Sequence, residues 1–420
     1  MKTVKLGNVC EKIGSGATPR GGSEVYQSSG VALIRSQNVY NDGFRKEGLA
    51  YINDKHAREL ENVIVQAGDV LLNITGDSVA RVCQVPKEVL PARVNQHVSI
   101  IRPHKDILDA KYLKYFLVSL LMQQYMNALA ASGATRQALT KGMIEAYEIP
   151  APPLPEQRAI ASILGALDDK IELNRKMNET LEAMAQAIFK SWFLDFDPIA
   201  GVGHHKEWQD SPLGKIPKGW RVLTLGDIAE LYRNTFNPSA FPEEVFDHFS
   251  IPAFDEGKMP ARDLGITIKS NKFLLPENCV LISKLNPRIP RVWFPKISKL
   301  RAIASTEFLV LVPKKPYTKE FIYSLCISAY FIDTFTSLVT GTSSSHQRVK
   351  PEDLLSIKIV CPTDLVLEEF TQKVEPLFKN IQSNKEQAHT LASIRDALLP
   401  KLLSGEIRVK DAERFAEKSL

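Results

Sequence analysis

The sequence repeats at a spacing of 210 in a chain of 420 residues, and this constrains the fold more than any other feature. Ile171 returns as Ile381, Asn174 as Asn384, Thr180-Leu181 as Thr390-Leu391 and Ala187 as Ala397, with no gap. Around these matches, apolar or junction residues recur in alternating steps of four and three. The first run is Ile160, Leu164, Leu167, Ile171, Asn174, Asn178, Leu181, Ala185, Ile188 and Trp192. The second is Phe370, Val374, Leu377, Ile381, Asn384, Ala388, Leu391, Arg395, Leu398 and Leu402. Steps of this kind predict two long helices that share a coiled-coil seam. A period of half the chain implies duplication, and a two-fold protein usually meets a two-fold partner.

A chain of this length holds two or three domains, each large enough for its own core. Hydrophobic content of 44% and charged content of 24% belong to a soluble globular protein. The longest apolar stretches, Leu117 to Met122 and Tyr330-Phe331, are too short to span a bilayer. Met1-Lys2-Thr3-Val4 is followed by no signal-peptide core. Cys10, Cys83, Cys279, Cys326 and Cys361 are scattered and odd in number, which disfavours disulfides or zinc and suits a reducing cytoplasm. Residues 1–150 and 220–362 each carry 18 Lys/Arg against 14 Asp/Glu, whereas 151–219 and 363–420 are slightly acidic. Two basic lobes fit two nucleic-acid contacts, although ordinary scatter gives such values too.

The order along the chain is therefore lobe, helix, lobe, helix. The lobes occupy 1–152 and 220–362; the helical segments occupy 153–197 and 363–409; a Gly/Pro-rich linker fills 198–219 and a polar tail 410–420. Pro152-Pro153-Leu154-Pro155-Glu156 announces the first helix, which should run to Phe196 and stop at Asp197-Pro198. Ser404-Gly405 marks a glycine cap on the second. The lobes repeat more faintly: Leu6-Gly7-Asn8-Val9 with Leu225-Gly226-Asp227-Ile228, Val70-Leu71-Leu72 with Val280-Leu281-Ile282, and Val98 to Ile101 with Phe308 to Leu311. A helical segment at Tyr112-Leu113 matches Phe321-Ile322. Short strands, few helices and many polar loops predict α+β lobes on one scaffold with different loops.

About 33 residues of helix extend roughly 50 Å. Run antiparallel, the two helices need only the short linker and carry the lobes at opposite ends. Asn174, Asn178 and Asn384 occupy seam positions, where a buried Asn fixes register; solvent-facing Asn at a splayed seam is the alternative.

The sequence holds no phosphate loop: Gly214-Lys215-Ile216 and Gly257-Lys258-Met259 both lack the hydroxyl residue. Asn237-Pro238-Ser239 and Asn286-Pro287-Arg288 read as turns, not as the Asn/Asp-Pro-Pro-aromatic stretch of adenine methyltransferases. Asp247 with Glu256-Gly257-Lys258 imitates a nuclease triad but lacks the apolar strand that would hold it. His204-His205 has no third ligand nearby. No metal site or catalytic group is expected in this chain. Polar and basic residues gather instead in loops of both lobes. In the first they are Arg35, Ser36, Gln37, Asn38, Asn73, Thr75, Arg81, Gln96, His97, Thr135, Arg136 and Gln137. In the second they are Lys284, Asn286, Arg288, Arg291 beside Trp293, then Ser344, His346, Gln347 and Arg348. Arg, Asn and Gln can contact base edges bidentately, and hydroxyls can hold phosphates, so these are candidate DNA-binding residues.

Several longer stretches together resemble a known family. They are Pro153-Leu154-Pro155-Glu156-Gln157-Arg158-Ala159-Ile160, Leu167-Asp168-Asp169-Lys170-Ile171, Asn178-Glu179-Thr180-Leu181-Glu182, Ser191 to Pro198, Pro217-Lys218-Gly219-Trp220, and Leu398 to Ile407. Their order and content resemble the specificity subunit of type I restriction-modification systems, across essentially the whole chain. The resemblance implies two target recognition domains, each reading one half of an interrupted, asymmetric DNA site. It implies two long helices, conserved in that family, as an antiparallel coiled-coil spacer. It also implies partners: double-stranded DNA, two modification (adenine methyltransferase) subunits and restriction (helicase-nuclease) subunits, but no membrane. S-adenosylmethionine, ATP and Mg would sit in those partner subunits, leaving this chain non-catalytic and without a cofactor. A methyltransferase-only relative, or an adaptor whose lobes bind protein, are the other readings. A chain with its own methyltransferase site is a third.

Overall fold

The computed structural model describes residues 3–132, 137–197, 207–339 and 347–412. The chain forms two compact units. One combines Met1–Asn174 with Glu386–Leu420, and the other is Arg175–Lys385.

In the first unit, Thr3–Lys5 pairs antiparallel with Glu148–Pro150, tying the two ends of the lobe together. An antiparallel sheet has the order Cys10–Ser15, Val98–Pro103, Val70–Asn73, Val82–Gln84. A second sheet has the order Ala50–Ile52, Val31–Ile34, Ala92–Val94, Ile64–Val65, its two central strands running parallel. Both faces of the first sheet's two central strands are covered, so Val70 to Asn73 and Val98 to Ile101 are buried on every residue rather than on alternate ones. Leu71 and Ile100 point into a core shared with the second sheet. Val70, Leu72 and Ile101 point the other way, towards the helices Ala110–Val118 and Leu120–Ala131. That second core also takes Ile160 and Leu164 from one long helix and Ile394, Leu398 and Leu402 from the other.

The second unit repeats this plan. Arg221–Thr224 pairs with Lys358–Cys361. One sheet has the order Ala229–Tyr232, Phe308–Pro313, Val280–Ser283, Val292–Trp293. The other has the order Thr235–Phe236, Lys272–Leu274, Ala302–Ala304, Val245–Phe249, Ala261–Leu264. Its parallel pair is Val245–Phe249 with Ala302–Ala304, as in the first unit. Thr235–Phe236 is an added edge strand. Helices Lys319–Cys326 and Ala329–Ser337 complete the lobe, and a hairpin, Trp208–Ser211 with Gly214–Pro217, precedes it.

The long helices are Leu154–Phe193 and Asp364–Ser404, and each is divided between the units. Within the first unit Arg395 meets Asp168 at 2.8 Å, and Asn174 donates to Gln387 at 2.9 Å. Within the second, Asn384 donates to Asn178 at 3.0 Å, and Phe370 packs on Trp192 and Phe193. Partner numbers fall as helix numbers rise, so the pairing is antiparallel in both. Ile160, Leu164, Phe370, Val374, Ile381, Leu391 and Leu398 are buried along the seam; Leu167, Ile171, Leu181, Ile188 and Leu377 are half-buried. Asn174 is fully buried, so the solvent-facing alternative does not hold for it. The α+β duplication expected from the sequence is the fold observed.

One boundary differs. The first helix ends at Phe193, not Phe196. Phe196 takes a left-handed conformation (φ +57°), and Asp197 N–H closes back on the Ser191 carbonyl at 2.8 Å. A non-glycine residue rarely adopts that conformation, and here the Phe196 ring packs edge-on against Trp208 and Trp220. The second helix stops at Ser404 before Gly405 (φ +77°), at the glycine cap expected there, and the rest of the segment to 409 lies beyond that cap.

Candidate nucleic-acid interface

In each unit, backbone hydrogen bonds gather the polar loops at one end of the antiparallel sheet. The frame is the same in both, shifted by 210. Asn73 N–H donates to Arg81 O (2.8 Å) as Ser283 donates to Arg291 O (2.9 Å). Ile74 donates to His97 O as Lys284 donates to Glu307 O, both at 3.0 Å. Gly76 donates to Gln137 O (3.2 Å) and Asn286 to Gln347 O (2.9 Å). Gly76 and Asn286 also share a left-handed backbone, φ +73° and +47°. Glycine takes that shape without strain, and asparagine is among the few other residues that tolerate it.

The side chains on this frame differ. In the first lobe Arg81 lies over the Tyr40 ring, 4.4 Å from its centroid, and Arg45 lies over the same ring at 5.1 Å while pairing with Asp42. Arg35 lies over Tyr26 at 5.2 Å and donates, with Gln37, to the Gly48 carbonyl. Thr75 Oγ1 shares a 2.6 Å hydrogen bond with His97 Nδ1, and Gln96 bonds the other ring nitrogen at 3.1 Å. Gln37, Gln96 and Gln137 are exposed.

Two expected base readers are instead internal braces. Asn38 and Asn73 are fully buried. The Asn38 amide donates to the Arg45 and Glu47 carbonyls and accepts from Arg35 N–H; the Asn73 amide donates to the carbonyl of half-buried Ser36. They fix loop shape rather than present donors to a ligand.

In the second lobe, two expected readers are engaged by carboxylates. Arg291 is bidentate to Asp255 at 2.7 and 2.8 Å, with its side chain only 11% exposed. Arg348 is bidentate to Glu307 at 3.1 and 3.0 Å. Trp293 is core, packed against Phe249, Phe254 and Phe308. Arg288 is exposed, while Lys284, Asn286 and Gln347 are half-buried. The Asn286 Oδ1 is buried without a partner among the described residues. Thr135, Arg136, Ser344, His346 and His204-His205 lie outside the described residues.

Tyr40, Tyr26, Asp255 and Glu307 are the participants that sequence reasoning missed. The two tyrosines left a faint signal: each sits near an arginine in a turn-rich stretch, and arginine stacks on aromatic faces.

Among the described residues no group of three His, Cys, Asp or Glu side chains could hold a metal ion. Asp247 accepts from Ser298 at 2.5 Å, and Lys258 lies on the Phe254 ring, so the apparent nuclease triad is parcelled among other partners. All five thiols are unpaired, and burial pushes Cys83 and Cys279 up to about 12, far from reactive. No helix among the described residues is long and apolar enough to cross a membrane.

The family model described as the type I restriction modification DNA specificity domain matches residues 1–183. The type I restriction enzyme MjaIX specificity subunit of Methanocaldococcus jannaschii is 29% identical over 421 residues, spanning 95% of this chain and 92% of that one. Over nearly its whole length the chain is similar to type I specificity subunits. The HindI specificity subunit of Haemophilus influenzae is 24% identical, spanning 90% of this chain and 94% of that one. In fold, the chain resembles the crystal structure of the type I restriction-modification S subunit from M. genitalium, with a TM-score of 0.57 and 16% identity over 96% of this chain and 95% of that one. In its two lobes the chain carries one pattern of backbone hydrogen bonds with two unlike sets of side chains.

Proposed function

We propose that this chain is the DNA specificity subunit of a type I restriction-modification complex, reading a bipartite, interrupted and asymmetric site in double-stranded DNA. The observation that carries the reading is the duplicated loop frame: hydrogen bonds at matched positions support Thr75 and His97 in one head, Arg348 and Glu307 in the other. Two heads on one scaffold with different side chains suit two different half-sites. The paired helices set the spacing between those half-sites and dock two modification subunits, which methylate adenine, with restriction subunits added for cleavage. S-adenosylmethionine, ATP and Mg belong to those partners, and the complex works in the cytoplasm. Exposed Gln37, Gln96, Gln137 and Arg288 are the proposed contacts to DNA, with Lys284, Gln347, Thr75 and His97 beside them.

The test is a map of methylated adenines in cells carrying this chain and its modification partner, repeated after one heptad is removed from each long helix. Seven residues of helix are ~10.5 Å. The unspecified spacer in the site should shorten by about three base pairs while both half-sites keep their sequence. An unchanged spacer would sink the ruler, and absence of any defined methylated sequence would sink the reading as a whole. Binding should also fall steeply with salt, because phosphate contacts release counterions; a flat salt response would favour an adaptor with protein-binding lobes.

A further inference from the structure

The two heads place an arginine at the same point of the same frame, and treat it in opposite ways. The Arg81 and Arg291 carbonyls accept from Asn73 and Ser283 N–H, the equivalent strand ends. The residue beside each arginine comes from the same stretch of the lobe, just after its parallel strand. Ile34 and Phe249 carbonyls accept from Asn95 (3.0 Å) and Ser305 (2.9 Å), which precede the matched strands. Counting six residues on from each reaches Tyr40 in the first lobe and Asp255 in the second. In one head the partner is therefore an aromatic face, and in the other a carboxylate.

The chemical consequence is large. A guanidinium presents its N–H donors in a planar fork, and a bidentate carboxylate uses the same edge that would meet guanine O6 and N7. Arg291, clasped by Asp255, has that edge occupied and its charge neutralised. An aromatic ring holds the guanidinium by its flat face and leaves the donor edge uncommitted. Among the described residues no carboxylate forms an ion pair with Arg81, whereas Arg45, on the same ring, is paired with Asp42. The turn before Arg81 is itself rigid: Ala80 is left-handed (φ +68°), with its N–H on the Asn73 carbonyl at 2.9 Å. The fork is thus aimed by backbone and ring together.

We infer that Arg81 is the side chain with which the first lobe selects a guanine, that Tyr40 positions it, and that Arg291 does not read a base. The inference rests on the proposed DNA-reading function. It makes the first half-site dependent on one G·C pair that has no arginine-read counterpart at the matching place in the second.

The test uses the full chain with its modification subunit and a pool of duplexes randomised across both half-sites. Bound and methylated sequences are read for wild type and for Arg81→Lys, which keeps the charge but lacks the fork. The expected result is a roughly ten- to hundredfold loss of preference at one G·C pair of one half-site, with the other half-site unchanged. Tyr40→Asp, which copies the second lobe, should give the same loss with Arg81 present, and Tyr40→Phe should keep the preference. An unaltered consensus in Arg81→Lys overturns the assignment. So does uniform weakening on all sequences, which is the signature of a phosphate contact. Retention of the guanine preference in Tyr40→Asp overturns the role of the ring. A wild-type complex with no sequence preference would overturn the DNA-reading function itself.

Discussion

The two units share a backbone and differ in what fills the joint between lobe and helices. In the first the joint is polar. Asp168 on the first long helix receives Lys114 at 2.9 Å, Tyr115 at 2.6 Å and Arg395 from the second long helix at 2.8 Å. Buried Gln157 nearby accepts from Asp109 N–H and donates to the Ile107 and Pro152 carbonyls. In the second unit the joint is aromatic: Phe189, Phe193, Phe321 and Phe370 pack at centroid distances of 4.9 to 6.1 Å. Phe294 stacks on Phe378, which stands 210 residues after Asp168. A duplicated scaffold can thus be locked by directional ion pairs or by shape and area, since strand pairing and helix register are specified elsewhere.

The comparison breaks most visibly at Phe370. Phe370→Ala removes a fully buried ring from the aromatic joint and should destabilise the second unit by about 3–5 kcal/mol. Hydrogen exchange would show the loss in residues 175–385; equal loss of protection in the first unit would mean that the units do not have separate cores. Asp168→Asn comes next, at about 2–3 kcal/mol, because it leaves partly buried Lys114 without its anion and Arg395 with only the exposed Asp396. Burial alone would push the Asp168 carboxyl up, but Lys114 and the hydrogen bonds from Tyr115 and Arg395 outweigh it and hold the group below its ordinary range. A carboxylate lowered in this way stabilises the fold above its unfolded value of about 3.9, and that contribution is lost as pH falls through the lower folded value. Urea titrations of wild type and variant should therefore converge in strong acid, and a gap that persists there would show that the ion pairs are not the cause. The smallest effect is expected from Asn384→Ala, about 1 kcal/mol from the lost bond to half-buried Asn178. Thermal unfolding measures it, and a stabilised variant would assign that Asn pair to register alone.

Much of this was legible in the sequence because duplication prints the same signal twice. The offset that aligned Val70 with Val280 also aligns the hydrogen bonds of Asn73 with those of Ser283. What could not be read was commitment. Asn38 has the right side chain for a base edge, but the carbonyls of Arg45 and Glu47, across a turn, already consume its amide donors. Arg291 and Asp255 stand 36 positions apart, and no local pattern announces that they will clasp. The end of the first helix is hidden for the same reason, since Phe196 turns left-handed against tryptophans that follow in the hairpin and beyond it. Residue type states what a group can do, and tertiary neighbours decide whether it is still available.

The division of the chain has a consequence for how the molecule is made. One unit is a continuous run, Arg175–Lys385, while the other needs both Met1–Asn174 and Glu386–Leu420. Domains fold as units, in general from the N-terminus as the chain is synthesised. Here the earliest lobe to be translated is the last to be finished. Its core lacks Ile394, Leu398 and Leu402 until the second long helix is complete, so the later lobe can close first. During that interval the first lobe waits with the apolar side of its helix uncovered, and the ribosome, not the finished structure, sets how long.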